Sequence, residues 1–341
     1  MLPARRRRSI EARHRPRTAV TLAARRGKVA RALGSDTCLI FLVDASCYVF
    51  RAYHSILPDM RDRDGNPVHA VFGFARFLGD LIERVRPAYI AVAFDERRAA
   101  SYRSRIYPAY KANRERAPLD LASQMRCCRE LCRHLGLAVF VDQEYEADDL
   151  IGTLACVMRA QGVRAAFISR DKDFAQLMRD GDLFWDFGAR GQFGYHDIER
   201  HFGVPPECFA DYLARTGDSS DNIPGVPGIG NRTAAILMKA FGSLDELYAD
   251  LGRVAALPLR GAATLGARLA AHRESVYLAR RLTRIACDLS LGASASTLRR
   301  QLPDLPALGD LYDRLGFGPF LRRQAERLAQ LPEVHATPSA A

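Results

Sequence analysis

The sequence predicts an α/β domain with a mostly parallel central sheet and helices on both faces, followed by an all-helical region. Short apolar runs alternate with helical patterns up to about residue 205, which favours a parallel sheet. Beyond Pro205 and Pro206 the strand-like runs fade and helical spacing dominates. The sequence contains no run of about 18 apolar residues, so it predicts no membrane span.

Four strands and three helices are predicted in the first region. The strands are Cys38–Val43, Tyr89–Phe94, Ala138–Val141 and Arg164–Ser169, and the helices are His69–Val85, residues 121–135 and Ala147–Gln161. Four acids follow predicted strands, namely Asp44, Asp95, Asp171 and Asp173. Since the carboxyl ends of parallel strands share one edge of a sheet and ligands bind there, we expect these acids to lie together.

Both ends of the chain are predicted to be disordered tails. Residues 1–36 hold eleven Lys or Arg against two acids, so this basic tail carries +9 of the net charge of +11. Such a composition is typical of disorder, but it also resembles an organellar transit peptide or a stretch upstream of the native start. We expect a first, α/β domain over 37–205, a second, helical domain over 206–330 and a second tail over 331–341.

The eight cysteines predict neither a disulfide framework nor a metal cluster. None of them forms a C-x-x-C pair, and several lie in apolar runs, as reduced core cysteines do. Cys127, Cys128 and Cys132 lie on a helical pattern without a set of zinc-type partners, so we expect no zinc site. This usage favours a reducing, cytoplasmic setting.

Nine carboxylates carry the strongest chemical signal. Besides the four at strand ends, they are Glu146, Asp148 and Asp149 at the start of a helix, and Asp218 and Asp221 three residues apart. Each has a structural explanation by itself, since Asp44, for example, could cap a helix. Together they would repel one another unless cations neutralised them. Oxygen ligands without a His or Cys set select Mg²⁺ or Mn²⁺, and two such ions about 4 Å apart hydrolyse phosphodiesters.

Residues 101–120 interleave cations with aromatic side chains, including Tyr102, Arg103, Tyr107, Tyr110, Lys111 and Arg114. Cations neutralise phosphates and tyrosine stacks on unpaired bases, so we predict that Arg103 and Tyr110 bind DNA rather than lie in a solvated loop. Lys111 and Arg114 are candidates to stabilise charge on the scissile phosphate, because they would share one face of a helix.

A glycine-rich run, Gly217 to Gly230, precedes a predicted helix at Arg232–Phe241. Glycines allow a close approach of the backbone to a phosphate, and the N terminus of the following helix favours an anion. The predicted DNA contacts are Gly225, Gly228, Gly230, Arg232 and Thr233.

Taken together, these residues resemble the 5′ nuclease family, which includes the 5′–3′ exonuclease domain of bacterial DNA polymerase I, phage 5′ nucleases and flap endonucleases. The resemblance covers about residues 39–320. It is carried by Leu42-Val43-Asp44, Arg51-Ala52-Tyr53-His54, Phe94-Asp95, Tyr110-Lys111-Ala112-Asn113-Arg114, Glu146-Ala147-Asp148-Asp149, Asp171-Lys172-Asp173 and the glycine-rich run. All nine positions that match the family's metal ligands are acids in this chain.

The resemblance implies a PIN-like nuclease core with two or more Mg²⁺ ions, a helical arch at about 101–120, and a helix–three-turn–helix domain that holds duplex DNA. It places Lys111 and Arg114 on the catalytic cations of the arch. It also places Tyr110 on a base-stacking position and Arg51 on a phosphate contact. Backbone carbonyls between Ser219 and Ile229 are implied to bind a potassium ion.

The chain therefore looks like a free-standing 5′ nuclease, since no polymerase region follows in this sequence. We expect a monomer that acts on DNA with a 5′ flap, a nick or a 5′ end. Two other readings stay open. One is a structure-specific DNA-binding protein with negligible cleavage, against which the intact acids and Lys111 argue. The other is a ribonuclease of similar fold, against which the glycine-rich run argues.

Overall fold

The computed structural model describes residues 38–96, 101–115, 117–188 and 191–332, so the predicted basic tail lies outside the described residues. Its strands are β1 Leu39–Asp44, β2 Tyr89–Asp95, β3 Ala138–Asp142, β4 Arg164–Ile168, β5 Leu183–Trp185 and β6 Gln192–Gly194. They form one sheet in the order β3-β2-β1-β4-β5-β6. Every pairing is parallel except that of β5 with β6, which confirms the predicted mostly parallel sheet.

Helices cover most of the remaining described chain. Those among the strands are α1 Ala45–Ser55, α2 His69–Val85, α3 Tyr102–Ile106, α4 Leu119–His134, α5 Ala147–Arg159 and α6 Tyr195–Phe202. The later ones are α7 Phe209–Thr216, α8 Asn231–Phe241, α9 Leu244–Ala249, α10 Ala262–Ala271, α11 Arg273–Thr283, α12 Leu305–Arg314 and α13 Pro319–Ala329. Short 3₁₀ helices occupy Lys172–Leu177, Pro206–Cys208 and Leu251–Ala256. Among the described residues, none of these helices is both long and apolar enough to cross a membrane.

The two faces of the sheet are covered by different helices because strand side chains alternate. Ile40 and Leu42 of β1 are fully buried in the core with α5, which crosses β1 to β4. Phe94 of β2 lies on the opposite face, where its ring packs against Phe74 of α2 at a centroid distance of 5.9 Å. Burying each large apolar side chain contributes roughly 1.5–3 kcal/mol. The prediction of helices on both faces is confirmed.

The chain returns to the sheet after α11. The backbone N–H of Ile90 in β2 donates to the carbonyl of Leu298 at 3.1 Å. Helices α12 and α13 then pack on α4 and α2, and Gln324 of α13 donates to Asp80 of α2 at 3.1 Å. Within the predicted 206–330 domain, α12 and α13 therefore pack on helices of the sheet domain.

Segment 101–120 departs from the predicted helical arch. In its described residues, helix is confined to α3 and to the first residues of α4. Lys111 has a left-handed backbone, with a φ of 53°, and its N–H donates to the carbonyl of Asp221 at 2.9 Å. The turns between the two helices are thus held by a loop more than a hundred residues away. The prediction that Lys111 and Arg114 share a helical face is wrong.

Candidate active site

Asp44 and Asp95 end the adjacent strands β1 and β2 and lie at the edge that the strand pattern predicts. Asp44 is buried, and it accepts from the Ser169 hydroxyl at 2.8 Å and from the backbone N–H of Cys47 at 3.4 Å. It also begins α1, so its capping role and its place at the site coexist. Asp95 accepts from the N–H of Ala147 at 2.9 Å, which ties β2 to the start of α5.

A second group of charges follows β4. Asp171 accepts from the N–H of Asp173 at 3.0 Å and begins the 3₁₀ helix. The ammonium of Lys172 lies 3.3 Å from Asp173 and 2.7 Å from Asp218 of the glycine-rich run. Lys172 therefore connects the acids at the sheet edge to the helical region.

A third group surrounds Glu146, which begins α5. Its carboxylate accepts from the Lys111 ammonium at 2.9 Å and from the Tyr110 hydroxyl at 2.8 Å. Tyr110 also donates to Asp221 at 3.2 Å, and Arg114 is paired with Asp221. Lys111 and Arg114 thus lie beside predicted metal ligands. Tyr110 is 5% exposed, so its ring has no free face for a base in this structure, contrary to the predicted stacking role.

The guanidinium of Arg103 contacts the three carboxylates at the start of α5. Its guanidinium binds Asp149 at 2.6 and 2.8 Å and Glu146 at 3.1 Å, and it lies 3.5 Å from Asp148. Its Nε donates to the carbonyl of Leu282 at 2.9 Å. Since Arg103 and Asp149 are 1% and 0% exposed, neither offers a surface to DNA or a free oxygen to a metal ion. The structure gives this pair a fold-stabilising role instead of the predicted DNA and metal contacts.

The turns at 109–114 are fastened to the loop at 218–222. The side-chain amides of Asn113 and Asn222 donate to the carbonyls of Ser219 and Ala109 at 2.9 and 2.7 Å, respectively. Arg114 donates to the carbonyl of Ser220 at 3.2 Å. These bonds place the cations of one segment against the acids of the other. The carbonyls of Ser219 and Ser220, which belong to the predicted potassium site, therefore already accept hydrogen bonds. The potassium site stays a prediction.

Crowding of buried carboxylates changes their acidity. Burial, with repulsion from Asp95 and Asp171, raises the pKa of Asp44 to about 7. Burial and the charge of Asp171 likewise raise the pKa of Asp173 to about 7. Burial opposes ionisation of Glu146, but Lys111 and Arg103 lower its pKa nevertheless. Asp44 and Asp173 are therefore harder to ionise than an exposed carboxyl, whereas Glu146 is easier to ionise.

The donor chemistry fits a hard divalent cation. The raised pKa values of Asp44 and Asp173 mark carboxylates that lack full charge compensation. The Oδ1 atom of Asp173 is buried and accepts no hydrogen bond. Within the described ranges, no three His, Cys, Asp or Glu side chains already enclose a point that could hold an ion. Mg²⁺ keeps several water molecules and binds through one or two carboxylates at a time, so separate carboxylate groups suit it.

The glycine-rich run forms a tight turn ahead of α8. Asp218 and Ile223 exchange backbone hydrogen bonds of 2.9 and 2.8 Å. A Cβ on Gly225 would lie 2.4 Å from the carbonyl oxygen of Thr216, whereas one on Gly230 would meet nothing within 4 Å. Gly225 is therefore needed for packing, and Gly230 leaves open space. The remaining predicted contacts, Gly228, Arg232 and Thr233, lie at or before the start of α8 and are exposed or half-buried.

Arg51 lies on α1 at the same end of the sheet. It donates to the carbonyl of Phe187 at 3.0 Å, stacks on the ring of Tyr48, and lies 3.7 Å from Asp186. With 29% of its side chain exposed, it remains accessible to a phosphate.

Three site residues were missed from the sequence, namely Ser169, Lys172 and Asp186. Lys172 lies between the predicted ligands Asp171 and Asp173 in the chain, so the sequence could have indicated a cation at the site. Asp186 directly follows β5, so it lies at the carboxyl end of a strand, as Asp44 does. It was overlooked because β5 has three residues, too few to show a periodic pattern.

Family models match both parts of the chain. The model described as the N-terminal resolvase-like domain of the 5′–3′ exonucleases matches residues 39–203, and the model of their C-terminal SAM fold matches residues 204–306. The chain therefore belongs to the 5′–3′ exonuclease family.

Relatives include DNA polymerase I of Pseudomonas aeruginosa, 37% identical over 82% of this chain, and DNA polymerase I of Rhizobium leguminosarum, 35% identical over 84%. This chain spans 30% and 28% of the length of those two proteins.

Solved structures agree in fold. The bacteriophage T5 D15 protein, co-crystallised with metal ions, superposes with a TM-score of 0.60 at 20% identity over 86% of this chain and 98% of that one. The catalytic core of Rad2 in complex with a DNA substrate gives a TM-score of 0.57 at 16% identity over 88% of this chain and 94% of its own.

Proposed function

We propose that this chain is a divalent-metal-dependent 5′–3′ exonuclease and 5′-flap endonuclease that hydrolyses phosphodiester bonds of DNA. The main support for the proposal is that the Lys111 ammonium contacts the carboxylates of Glu146 and Asp221. These groups lie next to the acids at the ends of β1, β2 and β4. Family membership supports the reaction class. The metal ions of the T5 structure and the DNA of the Rad2 structure support the cofactor and substrate classes.

Different residues are proposed for metal binding, for catalysis and for contact with DNA. The proposed ligand set comprises Asp44, Asp95, Asp171 and Asp173 at the sheet edge, with Glu146, Asp148, Asp218 and Asp221. Bound Mg²⁺, or Mn²⁺ in its place, would activate the attacking water and stabilise the leaving oxygen. Lys111 adds positive charge where the phosphate becomes more negative, since Glu146 and Asp221 keep its ammonium charged and oriented. The proposed DNA contacts are Arg51, Gly228, Gly230, Arg232 and Thr233, and a potassium ion is proposed near Ser219–Ile229.

Cleavage of labelled substrates tests the proposal. The purified chain should cut a 5′-flap, a nicked duplex and an RNA-primed duplex only when Mg²⁺ or Mn²⁺ is added. Asp171→Asn, prepared in parallel, should lower the rate by orders of magnitude while binding flap DNA as before, which excludes a contaminating nuclease. Tight flap binding without cleavage at any metal concentration would favour a DNA-binding protein, and preferential cleavage of RNA would favour a ribonuclease. A cytoplasmic monomer remains our expectation for its cellular form.

A further inference from the structure

A small cavity opens beside the candidate active site, beyond β5 and β6. Its volume is about 170 Å³. Drug-sized ligands occupy pockets of roughly 300–1,000 Å³, so this cavity is suited to one planar ring system. No residue predicted from the sequence to bind metal or DNA lines it.

Aromatic side chains form its walls. Phe184 of β5 and Phe193 of β6 have ring centroids 6.3 Å apart, and Phe193 lies 6.0 Å from the ring of His201 on α6. Phe202 completes the wall, 4.7 Å from His201. Phe184, Phe193 and Phe202 are half-buried, so their ring faces remain partly available to a ligand. Rings in this arrangement favour stacking with a flat π system.

A buried acceptor lies in the same cavity. Asp186 is 4% exposed and lines the cavity, and its Oδ1 atom has no hydrogen-bond partner. The nearest cations, Arg51 and Arg170, lie 3.7 and 3.5 Å from its two oxygens, beyond good hydrogen-bond length. A buried carboxylate oxygen without a donor is unfavourable, so a ligand that carries N–H groups would be stabilised here.

Two cations next to a proposed metal ligand also line the cavity. Arg170 and Lys172 line it, and they flank Asp171 in the chain. Their side chains are 49% and 46% exposed, so both are accessible to a phosphate. Aromatic walls, a buried N–H acceptor and cations at one side together match the base, the base edge and the phosphate of a nucleotide.

We propose that this cavity holds one unpaired nucleobase of the bound DNA, stacked on Phe193 and donating an amino N–H to Asp186, while Arg170 contacts its phosphate. The inference rests on the proposed nuclease function and adds a nucleotide subsite to it. Adenine, cytosine and guanine each carry the exocyclic amino group that this contact uses.

Site-specific fluorescence tests this subsite. Flap DNAs that each carry a single 2-aminopurine, at successive positions from three nucleotides before to three after the flap junction, are titrated with the metal-free protein. Emission should change by at least about twofold at one position, because stacking quenches this base. Phe193→Leu keeps an apolar side chain but removes the aromatic face. It should abolish that signal and weaken binding by about 5- to 10-fold, at the lower end of what loss of one stacked base produces.

The matched control is Phe320→Ala, which removes an exposed phenylalanine from α13 outside the cavity and should leave the signal unchanged. An abasic site at the responsive position should weaken binding to the wild type but not further weaken binding to Phe193→Leu. Equal melting temperatures of the three proteins exclude misfolding.

The two proposals fail in different ways. Cleavage of the same DNAs without any position-dependent signal, or a signal that survives in Phe193→Leu, overturns the subsite alone. Absence of cleavage despite a position-dependent signal overturns the nuclease function and leaves the subsite standing. Absence of both binding and cleavage overturns both.

Discussion

The guanidinium of Arg103 and the carboxylate of Asp149 form a buried two-point ion pair, with N···O distances of 2.6 and 2.8 Å. The pair joins α3 to α5, and the Arg103 bond to the Leu282 carbonyl extends it to α11. Asp149 also accepts from the N–H of Ala286 at 2.8 Å. One guanidinium thus connects the sheet domain, the basic segment and the helical region.

Loss of this guanidinium should destabilise the whole fold. Arg103→Ala leaves the carboxylate of Asp149 buried without a partner, so we expect the free energy of unfolding to fall by about 3–5 kcal/mol. Urea denaturation of the metal-free protein measures it. The matched control is Arg105→Ala, because Arg105 lies on the same helix as Arg103 but forms an exposed pair with Glu144. Its loss should lower the free energy of unfolding by less than about 1 kcal/mol. Equal losses of stability in the two variants would mean that the buried pair contributes no more than the exposed one.

Lys111 should act in the chemical step. Burial opposes its charge, but Glu146 and Asp221 raise the pKa of its ammonium, which therefore stays protonated near neutral pH. Lys111→Ala is expected to slow single-turnover cleavage at least ~100-fold, roughly 2.7 kcal/mol, with little change in affinity for flap DNA. Lys111→Arg keeps the charge and should recover part of the rate. Normal cleavage at saturating DNA, together with much weaker binding, would reduce Lys111 to a phosphate contact.

Asp44 should make the metal-free protein less stable as the pH rises. Its folded pKa of about 7 lies above the unfolded value of about 4, so the folded state holds the extra proton between these limits. Its stabilising contribution is complete below pH 4 and is lost as the pH rises through 7. In EDTA at pH 8, Asp44→Asn should therefore melt above the wild type, since the Ser169 hydroxyl can turn to accept from the new amide.

The difference between Asp44→Asn and the wild type should shrink as the pH falls below 7 and vanish only near pH 4 and below, where the carboxyl is protonated in both the folded and the unfolded state. Added Mg²⁺ should raise the melting temperature of the wild type at pH 8 more than that of the variant, because a bound cation favours the ionised carboxylate. A variant that melts below the wild type at every pH would show that Asp44 is ionised without a metal ion.

Two glycines of the same turn should respond differently to alanine. Gly225→Ala places a Cβ 2.4 Å from the carbonyl oxygen of Thr216, so we expect a loss of about 1–3 kcal/mol in stability from overpacking. Gly230→Ala meets nothing within 4 Å and should melt normally. If the backbone at Gly230 approaches a phosphate, this variant should bind flap DNA more weakly. Unchanged binding by Gly230→Ala would remove it from the DNA contacts.

The sequence by itself determined the sheet and its acidic edge. Strands β1 to β4 were readable because buried parallel strands are short continuous apolar runs. Asp44, Asp95, Asp171 and Asp173 were readable because each follows such a run, and parallel strands bring their carboxyl ends to one edge. These inferences use only neighbours in the chain and a general rule of sheet geometry.

Only the tertiary structure decided the roles of Arg103 and Tyr110. Both look like exposed DNA contacts in sequence, yet Arg103 is buried against Asp149, and Tyr110 against Glu146 and Asp221. The turn at Lys111 likewise replaces a helix because its N–H bonds to the carbonyl of Asp221. Burial and hydrogen-bond partners depend on groups that lie between 36 and 111 residues away in the chain. No local pattern of charge or periodicity contains that information, since the same arginine or tyrosine is compatible with either environment.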